Sequence, residues 1–263
     1  MLVRSGILAA ADGDAVSVHN ETGAGDVVLI CEHASNRFPV SALDLGLSQE
    51  VRDSHAAWDP GALALAMLLS SRLDAVLIQA NFSRLLYDCN RPPESPAAMP
   101  AKSEVYEISA NVGLSAAERY ARMAAFYVPF HDRISETFSA RVGQGRRTVV
   151  ITIHTFTPVY FGQPRSVEIG ILHDADSRLA DAMLALAPGE PYRIERNAPY
   201  GPDDGVTHSL QLHALPGGHL NVMIEVRNDL VRDEPGLAAA AECLERMVSN
   251  ALATLSEASA GEA

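Results

Sequence analysis

Four short apolar runs constrain this chain more than any other feature. They are VVLIC at residues 27–31, AVLIQA at 75–80, TVVITI at 148–153 and LNVMIEV at 220–226. Each is too short for a buried helix and rich in β-branched residues, so each reads as a strand. Because the apolar character is nearly continuous, these strands should be covered on both faces. Helical signals lie between them. Residues 60–73 (PGALALAMLLSSRL) follow Asp59, read as an N-cap, with Pro60 at the first helical position. Residues 115–141 form a long amphipathic segment that Ser115 and Glu118 open as a capping box, and Pro129 should kink or divide it. Residues 177–186 and 237–255 read as further helices. Residues 168–172 and 192–195 read as short strands, and 85–87 as a candidate extension. Strands alternating with helices predict an α/β fold, a single layered domain with a mixed, mostly parallel sheet flanked by helices. No repeat or low-complexity linker interrupts the 263 residues. One domain over 1–263 is expected, with 1–25 and 257–263 as loose termini.

Composition excludes several functions. The chain is 48% hydrophobic, too apolar for disorder. With 20 basic and 33 acidic residues the net charge is −13. That balance argues against nucleic acid or an anionic membrane as partner. No apolar stretch approaches the roughly 20 residues a bilayer needs, and Asp12 and Asp14 interrupt what would be a poor signal peptide. Cys31, Cys89 and Cys243 are odd in number and lack C-x-x-C spacing, so neither a disulfide framework nor a four-thiolate site is expected. A reducing cytoplasm is the simplest compartment.

In open α/β sheets, function collects at the carboxyl ends of the strands. The first strand ends at Glu32-His33-Ala34-Ser35-Asn36, the third at His154-Thr155, and the fourth carries Glu225 before Arg227-Asn228. Neutral imidazole is a good zinc ligand, and catalytic zinc keeps three protein ligands. His33 and His154 are candidates, although a single strand-end His is more often a hydrogen-bonded loop residue. The third ligand is His55 or Asp59, four apart in HAAWD, with a plain N-cap as the alternative for Asp59. Glu225 is costly in an apolar strand unless paired or functional, and reads as a general base or a structural ion pair. Arg84 and Arg91 suit carboxylates, which a guanidinium grips with two parallel donors. Cys31 and Cys89 have no evident base beside them and read as packing residues.

The blocks CEHASNRFP, HAAWDPGA, SRLLYDCNRPP, TIHTF and MIEVRND, in this order, resemble the N-formylglutamate amidohydrolase family. They run from about Val27 to Val231. The resemblance implies a zinc-dependent amidohydrolase of phosphorylase/hydrolase-like fold, related to the zinc exopeptidases and the aspartoacylase group. By position, His33 and His154 look like metal ligands, and His55 or Asp59 completes the site. Glu225 resembles the catalytic carboxylate. Asn90-Arg91 is similar to the element that receives a substrate carboxylate, and Arg84 to the arginine that steadies the tetrahedral intermediate. The zinc exopeptidases carry H-x-x-E where this chain has His33 and Asn36, so Asn36 joins the substrate-binding candidates. The histidine-breakdown enzymes read closer to P-H-S-G, which makes this a divergent branch. An acidic substrate needs a further donor, for which Arg165, Arg227 and His208 are candidates.

These readings combine into an expected mechanism. Zn2+ or another divalent transition metal activates water, Glu225 moves the proton, and the N-formyl or another N-acyl amide of an amino acid is hydrolysed. The partner is a small anionic N-acyl amino acid. A peptidase-like or N-acyl amino acid deacylase of other specificity, and a metal-free binding protein, are the alternatives. The sequence leaves the oligomeric state open. Because a net −13 field repels an anion, an acidic shell is expected around one electropositive pocket at the strand ends, made by a divalent ion with Arg84 and Arg91.

Overall fold

The structure is a computed structural model that describes residues 6–261, with side chains to residue 258. Eleven strands occur among these residues: β1 Val16–His19, β2 Val27–Cys31, β3 Val76–Ala80, β4 Lys102–Ser103, β5 Tyr106–Glu107, β6 Val149–Phe156, β7 Val159–Tyr160, β8 Gln163–Pro164, β9 Ile169–Leu172, β10 Ile194–Arg196 and β11 Asn221–Arg227. The α-helices are α1 Gln49–Asp53, α2 Ala62–Arg72, α3 Ala116–Arg122, α4 Val128–Gly143, α5 Arg178–Leu184 and α6 Glu234–Gly261. Seven strands form one sheet in the order β1-β3-β2-β6-β11-β9-β10. β1 runs antiparallel to β3 and β9 antiparallel to β11, while the other neighbours are parallel. The pairs β4–β5 and β7–β8 are separate small hairpins. The expected mixed, mostly parallel α/β sheet is therefore present in a single domain.

Side-chain alternation divides the core. Val27, Leu29, Val149, Ile151, Val222 and Ile224 pack with α2, α5 and α6 on one face. Val28, Ile30, Val150 and Met223 pack with Phe130, Ile134 and Phe138 of α4 on the other. Period-two geometry then sends Glu32, His154 and Glu225 toward this second face.

Several local expectations are corrected. Residues 16–19, assigned to a loose terminus, form β1 and pair with β3 from His19↔Leu77 to Val16↔Ala80. Residues 257–261, at the other expected loose end, continue α6. Residues 1–5 and 262–263 of those termini lie outside the described residues. Residues 85–87 are not a strand. They follow a turn in which Ser83 Oγ accepts from the Leu85 N–H, and Leu85 and Leu86 are apolar because the turn is buried. Helix α2 starts later than expected because Gly61, at φ +88°, takes the N-cap position. Asp59 thus does not cap it.

Pro129 divides the long segment as anticipated. The capping box opens α3, residues 123–127 form one π turn, and α4 begins at Val128. The Val128 N–H reaches back to the Met123 carbonyl, an i→i+5 bond. Proline lacks an N–H and crowds the carbonyl four residues back, and the wider turn accommodates both.

Candidate metal centre

Three segments converge at the carboxyl ends of β2 and β6. His33 follows β2, His154 lies within β6, and Asp59 sits in the turn before α2, its backbone N–H donating to the His33 carbonyl at 3.0 Å. They are 3%, 1% and 4% exposed, too buried for ordinary surface polar residues. His154 Nδ1 stands 2.9 Å from Asp59 Oδ2, His33 Nδ1 3.2 Å from the same oxygen, and the two Nδ1 atoms 3.2 Å apart. This is the one group of three or more candidate metal ligands among the described residues.

The donor set fits a divalent ion. Ligand atoms at 2.0–2.1 Å from one tetrahedral centre lie roughly 3.3 Å apart, close to the spacing of these three atoms. Two imidazole nitrogens and a carboxylate oxygen are a typical zinc set. His55, the alternative third ligand, is not brought into the group. Residues 55–58 form a turn rather than a helix, and His55 Nε2 faces Glu104 Oε2 at 2.8 Å.

Glu225 lies directly opposite His154 in the parallel register of β11 and β6. It is 4% exposed, and its Oε2 has no hydrogen-bond partner among the described residues. Burial pushes its carboxyl up to about 7, a range suited to accepting and returning a proton. For Asp59, burial works upward, but the His33 and His154 imidazoles outweigh it and hold the carboxyl below its usual range.

A cleft of about 520 Å³ opens over this group. Arg84, Asn90, Arg91 and Arg165 line it with His33, Asp59, His154 and Glu225. Arg84 is tied down, Nη2 to Asp88 Oδ2 at 2.9 Å and Nη1 to Asp59 Oδ1 at 3.5 Å. Asn90 is fixed by the Val206 carbonyl and the Ser209 N–H. Arg165 lies among the rings of Phe156, Tyr160 and Tyr200, and Nη1 donates to the Tyr200 hydroxyl at 2.9 Å. Arg91 Nη1 donates only to the Asn90 carbonyl. Neither Arg91 nor Arg165 forms an ion pair among the described residues. Tyr200 reaches this wall because Gly170 lets the Ala198 carbonyl approach β9, where a Cβ would meet that oxygen at 2.0 Å.

Three substrate-binding candidates lie elsewhere. Asn36 Nδ2 donates to the Arg52 carbonyl and to Asp53. Arg227 pairs with Glu168 and Asp229. His208 Nε2 meets the Tyr127 hydroxyl at 2.9 Å. The lining of the cleft carries both signs, with Arg84, Arg91 and Arg165 sharing it with Asp59, Glu104, Asp204 and Glu225. Cys31 and Cys89 are unsuited as nucleophiles. Burial, then neighbouring carboxylates, raises both thiols well above their ordinary value.

Sequence reasoning gave no role to Glu32, Asp88, Glu104, Tyr160 or Tyr200. Glu32 Oε2 stands 3.1 Å from His154 Nε2, and Asp88 Oδ1 stands 2.8 Å from His33 Nε2. Burial opposes ionisation of both, yet the adjacent histidines keep each carboxyl below its ordinary value. The available signal was the position of Glu32 beside His33 and of Asp88 inside SRLLYDCNR.

Among the described residues no helix is long and apolar enough to cross a membrane. No protein of curated function matches the chain. Among solved structures, a crystal structure of an Agrobacterium tumefaciens gene product is 59% identical, with a TM-score of 0.94, covering 95% of this chain and 99% of that one. A crystal structure of N-formylglutamate amidohydrolase from Ralstonia eutropha is 18% identical, with a TM-score of 0.65 over 90% of this chain and 96% of that one, a likeness of fold. The family model for N-formylglutamate amidohydrolase matches residues 25–232. With that match over most of its length, the chain belongs to the N-formylglutamate amidohydrolase family.

Proposed function

We propose that this protein is a metal-dependent amidohydrolase that cleaves the formyl amide of an N-formyl amino dicarboxylate such as N-formylglutamate. One observation carries the reading. A single cleft joins the His33–Asp59–His154 donors, a buried carboxylate raised to about 7, and two arginines without ion-pair partners. The first two supply hydrolysis, and two free cations match two carboxylates.

His33, Asp59 and His154 would hold Zn2+ or a similar ion, which when bound supplies Lewis acidity and acidifies water. Glu225 takes a proton from the attacking water as oxygen bonds to the formyl carbon. Arg84, fixed by Asp88, stabilises the developing oxyanion. Glu225 then returns the proton to the departing nitrogen as the C–N bond breaks, releasing formate and the free amino acid. Asn90 positions Arg91 for one substrate carboxylate, and Arg165, held among its aromatic neighbours, takes the other. An ion held by His33, Asp59 and His154 would add its positive charge to that of Arg84, Arg91 and Arg165 in the cleft. The three cysteines are free and buried, which fits a reducing cytoplasm.

The test is hydrolysis of N-formyl-, N-acetyl- and N-succinyl-glutamate, with metal analysis of protein purified without chelator. Formate release from N-formylglutamate, abolished by chelation and restored by Zn2+, is expected. Faster turnover of the acetyl or succinyl compound would replace the formyl assignment. Protein that neither contains nor takes up a divalent ion would overturn the metalloenzyme reading.

A further inference from the structure

Each histidine of the candidate metal group has its second ring nitrogen against a buried carboxylate. Asp88 is 2% exposed, and Oδ1 lies 2.8 Å from His33 Nε2. Glu32 is 1% exposed, and Oε2 lies 3.1 Å from His154 Nε2 at ion-pair distance. The two carboxylates come from different segments. Glu32 directly follows β2, and extending the Ile30↔Thr152 register by two residues brings it beside His154. Asp88 lies in the turn after Arg84, where Oδ1 also accepts from the Asn90 N–H at 2.9 Å.

The chemistry of the pairs is one-sided. An ionised carboxylate only accepts, so the nitrogen facing it must carry the proton. That places the ring proton on Nε2 in both histidines and leaves Nδ1 with a free lone pair when the ring is neutral. Both Nδ1 atoms point at Asp59 Oδ2, itself an acceptor. Three lone-pair donors facing one point repel unless a proton or a metal ion lies among them. The Glu32–His154 contact is an ion pair by distance, and Ser209 is the other side chain that favours the ionised carboxylate. Neither Glu32 oxygen has a well-formed hydrogen bond among the described residues, and a buried charge is costly to keep without a partner such as His154.

We propose that Glu32 and Asp88 are positioning residues that hold His154 and His33 in the Nε2-protonated form, presenting both Nδ1 atoms as metal ligands. The proposal rests on the metal-site reading above. Asp88 has a second duty, because its Oδ2 also anchors Arg84. Glu32 pairs with His154 and has no ion pair to Arg84 among the described residues. The two carboxylates should therefore differ, with Glu32 setting metal affinity and Asp88 setting both affinity and the position of Arg84.

The experiment measures Zn2+ dissociation constants of full-length wild type, Glu32→Gln, Asp88→Asn and His154→Ala by competition with a chromogenic chelator. Outer carboxylates of this kind typically contribute about 10–100-fold in metal affinity. Losses of that size in Glu32→Gln and Asp88→Asn, with folding intact by circular dichroism, support the proposal. Affinities within two-fold of wild type in both, while His154→Ala loses Zn2+, overturn it and leave the metal site standing. Unchanged affinity in His154→Ala overturns the metal site and the proposal together. Should a variant fail to fold, 15N-detected imidazole spectra of wild type decide. Protons on Nε2 of both rings support the assignment, and protons on Nδ1 alone overturn it.

Discussion

Glu225 and His154 sit directly across from one another in the parallel register of β11 and β6, with both side chains facing the same cleft. The pairing fixes a proton-accepting group beside a candidate metal ligand by backbone hydrogen bonds rather than by a loop. Positioning on strands is the more rigid arrangement. Burial raises the Glu225 carboxyl, His154, His33 and Arg84 offset only part of that, Asp59 adds to it, and the net result is about 7.

Replacing Glu225 by Gln keeps shape and removes the base. General acid–base groups contribute roughly 10²–10⁴-fold. Glu225→Gln should therefore lower kcat by about that factor while Zn2+ content stays as in wild type. Steady-state kinetics together with metal analysis check both halves.

Metal binding should stabilise the folded chain, because the three donors come from segments far apart in sequence. A ligand at 100 times its dissociation constant adds about 2.7 kcal/mol. Chelation should lower the melting temperature of wild type and leave that of His154→Ala unchanged. Thermal denaturation with and without chelator reads this directly.

Arg165 and Arg91 should separate by substrate. Arg165→Met should raise KM for N-formylglutamate at least tenfold, as expected for losing a charge-assisted hydrogen bond of about 1.5–3 kcal/mol. It should change KM for N-formylalanine far less. Arg91→Met should impair both, since Asn90 and Arg91 would hold the carboxylate common to them. The comparison of KM values across the two substrates is the measurement.

Acid should weaken the fold through His131. Its Nε2 donates to the Cys89 carbonyl at 2.9 Å, so Nδ1 accepts from His213 Nε2 at 2.7 Å. Burial lowers His131 to about 3, with His213 and His208 adding to the effect and Glu32 opposing it. Tyr127 packs on the ring. A lowered histidine stays neutral when folded and protonates when unfolded, so its stabilisation is complete above the unfolded value of 6.5. It is lost as pH falls from there toward about 3. By linkage, His131 alone should cost about 2 kcal/mol at pH 5 relative to pH 7. For His154 burial works downward, but the Glu32 and Asp59 carboxylates outweigh it and raise the ring well above its ordinary value; that opposite contribution is common to both proteins compared. Urea unfolding at pH 7 and 5 should give a shallower pH slope for His131→Leu than for wild type.

The strand runs, the capping box at Ser115 and the division at Pro129 were legible because local chemistry dictates them. Apolar period, side-chain capping and a missing N–H act within a few residues. The strand-end placement of His33, His154 and Glu225 followed from the same pattern. β1 escaped notice because V-S-V-H is a weak local signal, and its stability comes from pairing with β3.

What the sequence by itself determined is the layered α/β sheet and the short list of residues at its carboxyl edge. Only the tertiary structure decided which of them meet. It brought Asp59 rather than His55 to the two histidines, since Gly61 is the N-cap, the Asp59 carboxylate meets His33 and His154, and His55 faces Glu104. It sent Asn36, Arg227 and His208 to other partners, and it placed Glu32 and Asp88 behind the two histidines. The physical reason is that strand register and loop closure join residues such as His33 and His154, 121 positions apart, and no local preference in the chain encodes those distances.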